Sequence, residues 1–157
     1  MMETTIFMFC LTVHNIEEAL WMPDWRAKTM PRRSPQKEHF IFAVLGITVI
    51  GYLSAGLFAF YPDNQHLEYA FVGFTGAMFI NAVVPHLALT IRYRKYCPGV
   101  MTGCFLIIPL HSMILYNAAN SHLKISEILI ATLIVCAVLL GVIPLFVRLA
   151  KAIFSPR

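Results

Sequence analysis

Charge is what this sequence has least of. Only 13% of its 157 residues are Asp, Glu, Lys or Arg, against about 25% in an ordinary soluble domain. A soluble chain of this size has too much surface to hide 59% hydrophobic residues. Paired cysteines are also lacking. Cys10, Cys97, Cys104 and Cys136 show no CxxC spacing, and three of them fall in apolar stretches. That argues against a disulfide framework and against a thiolate zinc site. No phosphate-cradling glycine loop, nucleophile elbow or HExxH is present. The chain begins Met1-Met2-Glu3, with no basic n-region and no small-x-small cleavage signal. The first apolar run is therefore expected to be a retained helix.

What is present is a series of apolar blocks, the pattern of an integral membrane protein. Five spans are expected, over residues 4–22, 40–61, 68–91, 100–119 and 125–149, forming one all-α transmembrane bundle across 1–157. Pro23 is expected to end the first helix, and 24–37 to form a loop. Pro62-Asp63-Asn64 and Cys97-Pro98-Gly99 are turn signals. The net charge of +4 would suggest nucleic acid for a soluble protein, but topology explains it better here. Lys and Arg number five after the first block, none in the next connection and three in the next. Lys124 stands alone in the fourth, and Arg148, Lys151 and Arg157 close the chain. This alternation predicts an N-terminus outside and a C-terminus in the cytoplasm, in a multi-pass protein of the inner membrane.

Ionisable groups inside spans cost at least ~2.5–3.5 kcal/mol each at a helix centre and persist mainly where they face protein or a wet cavity. His14, Glu17 and Glu18 share one face of the first helix, at 100° per residue. An imidazole and two carboxylates so placed can chelate a metal or divide into an acid and a base. Glu-x-x-His spacing serves di-iron bundles, and here its order is reversed. The competing reading is an interfacial patch, with both glutamates reaching the headgroups. Asn81 and His86 flank Pro85 in the third block. Residues five apart lie ~140° apart on a straight helix, so both reach one cavity only if Pro85 distorts it. His111 follows Pro109 in the fourth block. Interhelical hydrogen bonding is the plainer role for Asn81, His86 and His111. Depth favours a shared site. At ~1.5 Å per residue, His86, Glu17 and Glu18 lie roughly 5–8 Å above the cytoplasmic edge, and His14, Asn81 and His111 roughly 10–17 Å above it.

His14-Asn15-Ile16-Glu17-Glu18 with Trp21 and Pro23, then Asn81-Ala-Val-Val-Pro-His86, then Tyr96-Cys-Pro98-Gly99-Val-Met-Thr102 resemble the HXXEE-motif family of small bacterial membrane proteins. The likeness runs from about residue 10 to 145. It implies a metal-binding or catalytic role for His14, Glu17, Glu18, Asn81 and His86, with Tyr96, Pro98, Gly99 and Thr102 as a turn shaping the pocket. No established reaction comes with that family.

Three functions remain open. A metal-dependent membrane enzyme, a hydrolase or an oxidoreductase, would use His14, Glu18, His86 and His111 as ligands of a divalent metal, zinc or iron. Glu17, Glu18 and Asn81 would be its catalytic groups, and its substrate a lipid-like or amphipathic molecule from the membrane. A metal-free acid/base enzyme of the lipid-isomerase type would use the same groups by analogy. A transporter or membrane binding protein, for which a homodimer would supply further spans, is the non-enzymatic reading.

Overall fold

A computed structural model describes residues 1–154, apart from the side chain of Arg33. Arg157, counted above among the C-terminal basic residues, lies outside them. Among the described residues there is no strand. Five long helices make up the bundle: α1 (Met2–Thr29), α2 (Lys37–Phe60), α3 (Gln65–Tyr93), α4 (Val100–Ser121) and α5 (Ile125–Phe154). Backbone polar groups in hydrocarbon have no water to bond, so they are satisfied within the helices.

Helices α2 to α5 are each long and apolar enough to cross a membrane. Helix α1 does not meet that composition, although its 28 residues would reach ~42 Å at 1.5 Å per residue. Its polar residues are turned inward. His14, Asn15 and Glu17 are buried, while Phe9, Ile16, Leu20 and Trp21 are more than half exposed. A helix that keeps its polar face inside and its apolar face outside is inverted relative to a soluble surface helix.

Two expectations about α1 need correction. Pro23 does not end it, and 24–37 is not a plain loop. The helix continues to Thr29, and Pro31–Arg33 then form a 3-10 turn. A proline in a helix interior costs about 3 kcal/mol in lost hydrogen bonding and clash. Packing offsets this cost: Met22 and Pro23 are buried, and the Trp25 ring meets Tyr93 edge-on at 5.8 Å. The other four helices match their predicted blocks to within five residues at each end. At the start of α3, the Asn64 side chain accepts from the backbone N–H groups of His66 and Leu67 at 3.0 and 3.2 Å. The turn signal at 62–64 thus ends in a helix cap.

Helix α3 packs along α5, α1 along α2, and α2 along α5. Phe7 fills the centre, with its ring edge-on to Phe71 and Phe74. Leu11, Ile107 and Ile114 are buried around it. Polar contacts fix the rotation of α1: Asn15 Nδ2 donates to Thr48 on α2 at 2.7 Å, Thr12 bonds Tyr52, and Asn117 on α4 donates to Glu3 at 2.8 Å. Glycine permits the close approach of α3 to α5. A Cβ on Gly73 would stand 2.6 Å from the Ala131 carbonyl oxygen, which belongs to helix backbone and cannot swing aside.

Gly73→Ala is therefore expected to lower stability by about 1–3 kcal/mol, the cost of overpacking a well-filled interior. Thermal or denaturant unfolding of the detergent-solubilised protein measures this, with Gly56→Ala, where nothing lies within 4 Å, as the matched control.

Candidate metal centre

The site sits where the middle of α1 meets the second half of α3 and the first turns of α4. His14 and Glu18 are one turn apart on α1. His14 Nε2 lies 3.4 Å from Glu18 Oε1, and His86 Nε2 on α3 lies 2.6 Å from the same oxygen. One ligand atom from each residue falls within 4.8 Å of the others. The two imidazoles meet edge to face, with centroids 5.0 Å apart. His14 and His86 are buried, and Glu18 is slightly exposed.

Asn81 joins this group from the turn before His86. Its Nδ2 donates toward His86 Nε2 at 3.2 Å and His14 Nε2 at 3.3 Å. The ~140° offset of a straight helix is narrowed by a π-helical turn over Ala82–Leu87, which contains Pro85. A π-turn bonds i to i+5, so residues five apart are brought toward the same face. A second π-turn, Gly103–Ile107, lies beside it at the start of α4.

His86 is oriented from behind. Its Nδ1 is 2.6 Å from the Pro98 carbonyl oxygen. A carbonyl only accepts, so Nδ1 carries the proton. The turn that presents Pro98 depends on Gly99, which adopts φ +92° and lies against the imidazole. A Cβ there would be 2.5 Å from His86 Cε1 and Nδ1.

Glu17 faces the other way. Its Oε1 accepts from Tyr96 Oη and from the Gly99 N–H at 2.8 Å. Its Oε2 accepts from the Thr102 N–H at 3.0 Å and the Thr102 hydroxyl at 2.6 Å. A carboxylate offers about four lone-pair sites, and these four donors occupy them. The catalytic role expected for Glu17 would need a lone pair that these contacts already take up. The interfacial-patch reading also conflicts with its burial. Tyr96, in the turn outside the spans, is held as the donor in its contact: burial first, then the Glu17 carboxylate, push its phenol above the ordinary range.

His111 is not brought to this group. Its Nδ1 donates to the Thr75 carbonyl at 3.1 Å, and its ring stacks on Phe7 at 5.3 Å. Phe7 and His14 stand seven residues, about two helical turns, apart on α1, so the His111 that stacks on Phe7 does not reach the His14 group. Asn15 and Thr75 are polar groups that sequence reasoning left out. Asn15 sits inside the motif but points to α2, and Thr75 takes part through its backbone.

Residues 5–114 match the family model described as "Protein of unknown function with HXXEE motif". The chain belongs to the HXXEE-motif family. It is also similar to the uncharacterized protein YrkK of Bacillus subtilis (strain 168), 40% identical over 149 residues, which are 94% of either chain. No solved structure matches it. The family span ends inside α4, so it takes in all three motif segments and leaves out α5.

Gly99→Ala is expected to be among the most damaging single-atom-group changes in this HXXEE protein. It forces an L-residue into the left-handed region, at about 1–2 kcal/mol, and drives a methyl group into His86. The expected result is a lower Tm together with loss of the His86–Pro98 contact, read from the imidazole ¹⁵N shifts. An unchanged Tm and unchanged shifts would show that the turn is not tied to His86 in this way.

Proposed function

We propose that this membrane protein holds a divalent metal, zinc or iron, at His14, Glu18 and His86, and is a metal-dependent enzyme acting on a lipid-like or amphipathic substrate. One observation carries the reading. With its Nδ1 proton committed to Pro98, a neutral His86 turns a bare Nε2 lone pair toward a carboxylate oxygen 2.6 Å away. Two acceptors at that distance need positive charge between them. A metal supplies it, and the hydrogen bond from behind the ring is the usual partner of a metal-bound histidine.

The donor set fits. Two imidazole nitrogens and a carboxylate oxygen suit zinc with an open position, or non-haem iron. Ligand atoms ~2.0–2.1 Å from a tetrahedral zinc stand about 3.3 Å apart. The His14–Glu18 separation of 3.4 Å already matches, and the His86–Glu18 contact would open by a fraction of an ångström. When bound, such a metal polarises a substrate oxygen or activates water. Asn81 is placed to hydrogen-bond whatever occupies the open position. Glu18 retains a second oxygen for proton transfer. The exposed Leu20 and Trp21 beside it form an apolar approach from the bilayer. Counting α1, whose outward face is apolar, this reading has five spans of an inner-membrane protein, with the N-terminus outside and the site in the cytoplasmic half.

The second reading replaces the metal with a proton. The 2.6 Å contact is short for two metal ligands and fits an imidazolium–carboxylate hydrogen bond. The same residues would then act as a metal-free acid/base pair, as in lipid isomerisation.

Metal analysis of protein purified in detergent separates the two. The metal reading expects close to one equivalent of zinc or iron, with affinity reduced at least tenfold in His86→Ala and Glu18→Ala. Loss of metal on chelation should also lower the Tm, because a ligand bound only to the folded state stabilises it. A folded wild type that takes up neither metal, even at excess, would leave the proton-sharing pair as the function of the cluster.

A further inference from the structure

The two glutamates of the motif differ in their contacts: Glu18 meets both imidazoles, and Glu17 meets the turn from Tyr96 to Thr102. We propose that Glu17 and Thr102 form a relay that holds the proton of His14 on Nδ1 and so keeps Nε2 bare toward the metal position. They are positioning residues, and Glu18 alone is the carboxylate ligand. This rests on the metal reading for its purpose, but its geometry stands without it.

The argument follows the hydrogen atoms. Glu17 accepts from two backbone N–H groups and from the Tyr96 hydroxyl, which makes it an acceptor at both oxygens. The Thr102 hydroxyl, 2.6 Å from Oε2, therefore donates its single hydrogen to the carboxylate. Its oxygen keeps a lone pair. His14 Nδ1 lies 2.8 Å from that oxygen. Only His14 can supply the hydrogen of this contact, so its proton is on Nδ1. In the neutral ring Nε2 is then an acceptor, in agreement with the Asn81 amide that donates toward it.

The ring of contacts is closed. His14 and Glu17 stand three residues apart on α1, and Thr102 bridges them from the start of α4. The Thr102 N–H also bonds Glu17, so the hydroxyl is aimed by its own backbone. His86 reaches the same end by a different route, through the Pro98 carbonyl. Pro98, Gly99 and Thr102 belong to one turn, and Glu17 holds that turn. The first glutamate of His14-x-x-Glu17-Glu18 thus orients both histidines, one through Thr102 and one through the turn, while the second completes the ligand set. Partners of this kind behind a metal-bound histidine typically contribute 10–100-fold in affinity.

The test is the tautomer of His14 in metal-free protein, from the ¹⁵N shifts of histidine-labelled protein in detergent micelles, with His14→Gln to assign the signal. The wild type is expected to show Nδ1–H. Thr102→Val, which keeps the shape and removes the hydroxyl, should move the signal toward Nε2–H and weaken zinc binding at least tenfold. Thr102→Ser should restore both. Nε2–H in the wild type overturns the relay directly and needs no variant to fold. A Thr102→Val protein with an unchanged tautomer and unchanged zinc affinity overturns it as well. A wild type with Nδ1–H that binds no zinc supports the relay and removes the metal reading instead.

Discussion

A buried carboxylate is the constraint on which this site depends. An ionised group taken from water into an apolar interior is tolerated only when its lone pairs are paired. Glu17 meets that condition with four donors, all from the short segment between Tyr96 and Thr102. The requirement works in both directions. The carboxylate needs the turn, and the turn, which includes a glycine at positive φ, is held in place by the carboxylate. The turn whose Pro98 carbonyl meets His86 is thus held by this one group on α1.

Helix irregularity does the rest. Regular α-helices would place Asn81 and His86 on different faces. Two adjacent π-turns alter the phase of α3 and α4 where they meet α1. Such bulges are frequent at functional sites because they redirect side chains without ending the helix. Pro85 marks one of them. Gly103 packs at the other, where even a Cβ would come within 3.1 Å of Ala82.

Much of the architecture was legible as pattern. Block length and loop composition located α2 to α5, because a membrane span must be long, apolar and bounded by polar turns. Pro23 misled, since its local penalty was read without the packing of Met22, Trp25 and Tyr93 that offsets it. The charged and polar residues of α1 were recognised as a cluster because hydrocarbon makes each of them costly. The division of work between Glu17 and Glu18 was not readable. Adjacent residues on a helix differ by 100°, and nothing in the sequence says which neighbour each direction meets.

The sequence alone determined that the chain is helical, membrane-embedded and marked by a His/Glu cluster on its first helix. These follow from composition and period, which are properties of one segment at a time. Tertiary structure decided which groups meet: His86 and Asn81 with Glu18, Thr102 between His14 and Glu17, and His111 with Thr75. Those contacts join residues up to 88 positions apart, and they depend on helix rotation and on two π-turns. A rotation of tens of degrees exchanges one partner for another while leaving every periodicity in the sequence unchanged.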